Sequence, residues 1–178
     1  MGAGLVTGHT ERLAAAERER IVLGLYRTHY RKMEQLAFLL LGANEAAEDV
    51  AQEAFIRVYD ARDQLRDPER AAAYLRTTVV NLARTRIRRR LVALRHAPRP
   101  APEPFGPEES AIAAVRDRDV VRALAKLPRR QREVLALRYF EDLSEAQTAQ
   151  ALGISVGAVK SAASRGTTAM AALLEEHR

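Results

Sequence analysis

Between Ser155 and Met170 the chain sets small, hydroxylated and basic side chains along one side of a helix. Steps of four, three and four place Val159, Ala163, Gly166 and Met170 on an inner face. That leaves Gly157, Ala158, Lys160, Ser161, Ser164 and Arg165 pointing outward, with Ser155 as a good N-cap. The residues just before follow the same plan. Ser144 caps, Ala146, Ala149 and Leu152 recur at helical spacing, Gly153 tolerates the positive φ that ends a helix, and Ile154 supplies a core side chain. Two short helices joined by a Gly-containing turn form a helix-turn-helix, whose second helix fits the major groove of DNA. No acidic residue occurs between Ile154 and Met170, so the outward face suits a polyanion. A hairpin that merely packs would not need that exclusion.

A second constellation lies upstream. Arg84, Arg86, Arg88, Arg89 and Arg90 fall within seven residues and spread around most of a helix. A solvated helix end explains some of this charge, because cations complement the C-terminal dipole. Five guanidiniums exceed that need and suit phosphates. Tyr74, Arg76, Thr77, Thr78 and Asn81 precede them on the same helix. An aromatic, a base and hydrogen-bonding side chains together suit unstacked single-stranded bases. A core position is an equally good reading of Tyr74. A third group, Glu45, Glu48, Asp49 and Gln52 with Glu53 beside it, makes an acidic stripe near a helix start, where carboxylates are at home. Divalent-metal ligation is the weaker reading, since all share one helix with no histidine at ligand spacing. His9, His29, His96 and His177 are scattered and fit no metal or catalytic pattern. No nucleophile elbow or phosphate loop is present, so neither an enzyme active site nor a cofactor is expected.

The elements that position these groups all read as helices, giving an all-α fold of two small domains. One helix is expected over about 11–41, breaking near His29, with Ile21, Leu25, Met33, Leu36, Phe38 and Leu40 buried. Gly42 ends it, and Asn44 caps a second over about 45–61, with Val50, Ala54, Phe55 and Val58 inward. Pro68 opens a third to about 94, its apolar face Ala72, Leu75, Val79, Leu82 and Ile87. Five of seven prolines fall in 98–107, a polyproline-like spacer. Helices over about 108–126 and 129–140 then lead into the hairpin. The expected division is a flexible N-terminus 1–17, a helical domain 18–96, a linker 97–107 and a second domain 108–178 carrying the helix-turn-helix 144–170.

Composition narrows the function classes. A net charge of +6 and a pI near 10.1 favour a polyanionic partner. Residues 18–96 hold 16 basic and 10 acidic side chains, against 11 and 10 in 108–178, so the helix-turn-helix half is nearly neutral. Two nucleic-acid contacts fit that distribution better than one. The chain has no cysteine, which excludes disulfides and thiolate metal sites. No run nears the roughly 18 apolar residues of a membrane span. The start, MGAGLVTGHTER, lacks a secretory signal, and Val6 stands where a myristoylation motif wants Ser or Thr. A cytoplasmic protein without membrane insertion or small-molecule substrate is expected.

Taken together, the segments EDVAQEAFIRVY, AAAYLRTTVVNLARTRIRRR and LPRRQREVLALRYFEDLSEAQTAQALGISVGAVKSAASRG resemble the extracytoplasmic-function (ECF) group of bacterial sigma factors, within the sigma-70 family. SEAQTA and VKSAASR are similar to an actinobacterial subgroup, the SigE family. The resemblance implies a region 2 domain over 18–96 and a region 4 domain over 108–178. Asp49, Gln52, Glu53 and Arg57 would then dock on the β′ clamp helices of core RNA polymerase. Tyr74, Arg76, Asn81, Arg84, Arg88 and Arg89 would hold the non-template strand of the −10 element, with a flipped-base pocket near Arg62 and Arg66. Ser155, Gly157, Ala158, Lys160, Ser161, Ser164 and Arg165 would read the −35 element. Leu135 and Leu137 would help grip the polymerase β-flap, and an anti-sigma factor is a further possible partner. Ala162 and Ala163 are small for a recognition helix, which implies a weak −35 contact that relies on tethering through polymerase. The competing readings are a free-standing helix-turn-helix regulator dimerising through its first domain, and a nucleic-acid enzyme using the carboxylates as metal ligands.

Overall fold

Three- and four-residue recurrence of apolar side chains dictates helices, and the described residues form helices and turns without a strand. The computed structural model describes residues 3–42, 44–96 and 118–176, and the side chains of 15–42, 46–93 and 119–176. The first lobe comprises α1 (Ala3–Leu41), α2 (Asn44–Asp60) and α3 (Pro68–His96). The second comprises α4 (Arg118–Lys126), α5 (Arg129–Leu135), α6 (Glu145–Leu152) and α7 (Val156–Glu175), with α5 widening into a π-helical turn over Ala136–Phe140.

In the first lobe α1 packs against α2 and α3 around Met33, Leu36, Phe38, Val50, Val58, Leu75, Val79 and Val80, all fully buried. The expected inward positions hold throughout, with Ile21 and Ile87 only half-buried. Gly42 ends α1 in the left-handed region at φ +73°, and its N–H donates to the Phe38 carbonyl at 2.7 Å. At the start of α3, the Asp67 carboxylate accepts the Glu69 N–H at 3.0 Å, a cap one residue before the expected Pro68.

Three expectations change. The first helix does not break near His29, and it begins at Ala3, so the segment expected to be flexible up to residue 17 is helical from there on. Each residue added to an existing helix gains a hydrogen bond without a new nucleation cost, and the glycines and Thr10 are insufficient to stop it. The single helix expected over 129–140 divides at Ala136, where the π-helical turn admits a wider backbone loop. The Pro-rich linker, residues 108–117 and the side chains of Asn44 and Glu45 lie outside the described residues.

The lobes do not stand apart. The second packs on α1 and α3, and buried apolar side chains run without interruption from Leu36 and Val80 to Leu127, Val134 and Leu137. Within the second lobe α7 crosses α5 closely at Gly166. A Cβ there would stand 3.1 Å from Cγ and Cδ1 of Leu135 and 3.3 Å from Cβ of Gln131. Glycine in a helix costs about 1 kcal/mol relative to alanine, but overpacking a tight contact costs about 1–3 kcal/mol. Gly166→Ala is therefore expected to lower stability by ~1 kcal/mol in chemical denaturation. In a Leu135→Ala background, where the clash is relieved, the same substitution is expected to raise it.

Candidate nucleic-acid interface

The helix-turn-helix is built by its caps. Ser144 Oγ accepts the Gln147 N–H at 3.2 Å while Gln147 Oε1 accepts the Ser144 N–H at 2.8 Å, a reciprocal capping box. Gly153 stops α6 at φ +65°, and the Ile154 N–H returns to the Ala149 carbonyl at 3.0 Å. Ser155 Oγ then accepts the Ala158 N–H at 3.2 Å and starts α7. Val159, Ala162 and Gly166 are buried against the lobe, with Ala163 and Met170 partly buried. Ser155, Gly157, Ala158, Lys160, Ser161, Ser164 and Arg165 are all exposed, so the expected outward face is outward. Ala162 is small because it is core. Its place three residues after Val159 was the signal for that. Lys160 Nζ lies 3.6 Å from Glu145 Oε2, an exposed pair too weak and too easily screened to withhold the ammonium from a phosphate.

On α3 the expected strand-binding residues divide. Tyr74 is 41% exposed, which decides against the core reading, and Asn81, Arg88 and Arg89 are exposed too. Arg84 and Arg76 instead face the second lobe. Arg84 donates through Nε and Nη2 to the two Glu133 oxygens at 2.8 and 2.9 Å. Arg76 Nε donates to Glu141 Oε2 at 2.9 Å, with Lys32 Nζ 3.9 Å from the other oxygen. Both carboxylates are out of water, their side chains 4% and 0% exposed, and a buried charge requires a partner. Sequence periodicity carried no signal for this pairing across 49 and 65 residues.

The loop after α2 places Arg62 over the Tyr59 ring, 4.3 Å from its centre, while Nη1 donates to the Tyr59 carbonyl at 2.8 Å. Arg66 is exposed beside it. On α2, Gln52 bonds Glu48 at 3.0 Å, Glu53 pairs with Arg57 at 2.7 Å, and Asp49 reaches Arg86 of α3 at 2.9 Å. The acidic stripe continues into exposed apolar side chains that sequence reasoning did not assign. Ile56 (60% exposed) and Tyr59 follow Gln52 at steps of four and three, and Tyr26 lies edge-on to Phe55 nearby. Large apolar side chains rimmed by charge mark a contact surface. Leu135 and Leu137, expected to touch a partner, are buried in the core and unavailable, because α5 turns that face toward α1 and α7. Among the described residues no three His, Cys, Asp or Glu side chains gather as a metal site, and no helix is long and apolar enough to cross a membrane.

With this geometry in view, the families are clear. Models described as Sigma-70 region 2 and Sigma-70, region 4 match residues 25–91 and 117–170. The chain belongs to the ECF RNA polymerase sigma factors of the sigma-70 family, and so directs RNA polymerase to promoters. The ECF sigma factor SigL of Mycobacterium tuberculosis is 31% identical over 169 residues, covering 92% of this chain and 94% of SigL. RNA polymerase sigma-E factor of Streptomyces coelicolor is 37% identical over 134 residues, 73% of this chain and 71% of that one. The solved structure of CnrH with the cytosolic domain of CnrY superposes with a TM-score of 0.67 at 26% identity, covering 93% and 97% of the two chains. The sigma factor RpoE bound to the anti-sigma factor NepR from Bartonella quintana shares the fold, with a TM-score of 0.65 at 21% identity over 86% and 96%.

Burial, with Arg76 and Lys32 close by, holds the His29 imidazole below its ordinary value of 6.5. Burial pushes the Glu141 carboxyl above 4.5, against the pull of Lys32 and Arg76. The two act oppositely. Between its folded value and 6.5, His29 binds protons more readily in the unfolded chain, so its contribution to stability is lost as pH falls through that window. Glu141 takes up protons in the folded state and favours folding as pH falls toward 4.5. In paired denaturation curves from pH 7.5 to 5.5, His29→Gln is expected to lose less stability on acidification than the native chain.

Proposed function

We propose that residues 18–96 dock on core RNA polymerase and hold the melted −10 strand, that 97–107 span between the elements, and that the helix-turn-helix 144–170 of the 108–178 domain reads the −35 element. The protein works in the cytoplasm and contributes no catalysis of its own. The observation that carries this reading is the exposure of two nucleic-acid faces on two lobes: Lys160, Ser161, Ser164 and Arg165 on α7, and Tyr74, Asn81, Arg88 and Arg89 on α3. Small and hydroxyl side chains at the N-terminal end of α7 allow close approach to base edges, while Lys160 and Arg165 meet phosphate. Tyr74 offers a ring for an extruded base, and the Arg62–Tyr59 stack flanks the pocket.

Docking on the β′ clamp helices is assigned to Asp49, Gln52, Glu53 and Arg57, with Ile56 and Tyr59 as the apolar centre of that surface. Polar rims around an apolar anchor are the usual economy of such interfaces. For the β-flap, the exposed Tyr139 of the π-helical turn is the available apolar side chain, in place of Leu135 and Leu137. An anti-sigma partner suits the same two lobes; RpoE and CnrH were both solved as complexes, with the anti-sigma factor NepR and with CnrY.

Run-off transcription with core polymerase on a pooled promoter library tests the whole assignment. Specific start sites are expected only when the protein is added. Transcripts absent while the protein alone shifts duplex DNA would make it a free-standing regulator. Tyr74→Ala is expected to cost about 1–3 kcal/mol in open-complex stability, with Tyr74→Phe close to native. Arg165→Ala is expected to weaken promoter binding across sequences and lower the salt slope by about one phosphate contact. Ile56→Asp is expected to reduce affinity for core polymerase at least tenfold, about 1.4 kcal/mol, without unfolding the chain.

A further inference from the structure

The loop that joins α2 to α3 is held at more points than its length needs. Consecutive turns run through it, the Gln64 N–H donating to the Ala61 carbonyl at 2.9 Å and the Leu65 N–H to the Arg62 carbonyl at 3.2 Å. Leu65 is buried, and Arg62 lies on the Tyr59 ring. The far end is fixed where the Asp67 carbonyl accepts the Ala71 N–H at 2.9 Å. One further tie leaves the loop's own neighbourhood. Asp63 Oδ1 stands 3.0 Å from Nε of Arg18, on the N-terminal half of α1. The Arg18 side chain is only 22% exposed, so its covering neighbours restrict its rotamers and less entropy is lost on pairing. The same half of α1 borders the cleft along α3, where Arg20, Ile21 and Gly24 form the lining together with Arg70, Ala73 and Tyr74.

We propose that Arg18, acting through Asp63, is a positioning residue for base selection at the −10 element: it moors the loop that carries Arg62 and Arg66. Asp63 lies between these two cations in the chain. Released from Arg18, its carboxylate is free to pair with either guanidinium, and it repels the phosphates of a strand entering the pocket. Paired with Arg18, it is turned toward α1 and its charge is offset. The mooring therefore sets the shape and the charge of the pocket rim without touching DNA. Discrimination between bases depends on groups held to about 0.5 Å, so a rim that shifts accepts more of them. Exposed ion pairs contribute modestly, and Asp63 is 68% exposed, so a partial loss of selectivity follows and not its abolition.

This inference rests on the assignment of α3 and its loop to the −10 strand, and one experiment separates the two claims. Run-off transcription by the full chain with core polymerase, on a promoter pool randomised through both elements, gives the base preference at each position. Arg18→Gln and Asp63→Asn are each expected to lower that preference about 2–5-fold at one −10 position, the one that Arg66→Ala also relaxes. The −35 preferences, the affinity for core polymerase and the denaturation midpoint are expected to stay native. The double variant is expected to match either single one, because both remove the same pair, and Arg18→Lys, which keeps the charge, to retain most of the preference. Native preferences at every −10 position in both single variants overturn the mooring. Independent, multiplying losses in the double variant overturn it too, as does an even loss at both elements with a lowered denaturation midpoint. If Arg66→Ala and Tyr74→Ala leave every −10 preference unchanged, the strand assignment has failed and the mooring falls with it.

Discussion

One guanidinium ties the two lobes together at their backbones. Helices end with carbonyls that have no partner inside the helix, and burying such an end without a donor is costly. Arg132 on α5 supplies donors to two of these ends at once. Nη1 donates to the Leu40 carbonyl in the last turn of α1 at 3.0 Å, and Nη2 to the Ala125 and Leu127 carbonyls at the end of α4 at 2.9 and 3.2 Å. Burial pushes its pKa down, partly offset by neighbouring Glu133. The planar fork of an arginine serves three carbonyls in a way that a lysine ammonium on a flexible stem would not. The path of α5 is fixed relative to α1 by this contact, and the places of Glu133, the π-helical turn and the helix-turn-helix follow from it.

Local features were legible where a single residue type enforces a backbone state. Ser144, Gly153 and Ser155 mark the edges of the helix-turn-helix because caps and left-handed turns admit few side chains. The outward face of α7 follows from periodicity alone. Relations between distant segments were not legible. The family resemblance implied contact roles for Leu135 and Leu137, but they are covered because α1 and α7 occupy that side. Arg76 and Arg84 look like free cations until the second lobe brings Glu141 and Glu133 to them. A helical wheel gives the direction of a side chain and says nothing about what lies there.

The stripe on α2 shows a milder version of the same limit. Its acidic members were conspicuous, while Ile56 and Tyr59 stood outside both the acidic stripe and the expected inward set of Val50, Ala54, Phe55 and Val58. Phe55 and Val58 satisfy the core from the neighbouring positions, which leaves Ile56 and Tyr59 on the outer side of α2. An apolar residue one step out of phase with the buried set is therefore a surface signal, readable once the buried set is known.

The π-helical turn at Ala136–Phe140 has a geometrical consequence of its own. Such a turn fits one more residue into a helical loop than an α-helix does, and one residue is a rotation of about 100°. Beyond it the Glu141 N–H bonds back to the Ala136 carbonyl at 3.1 Å, the Leu143 N–H to Leu137 at 3.1 Å, and Asp142 takes the left-handed φ of +53°. These residues act as an indexing joint, converting chain length into the azimuth at which α7 leaves the body. A single-residue deletion in 136–143 would preserve every outward side chain of α7 and re-aim all of them together.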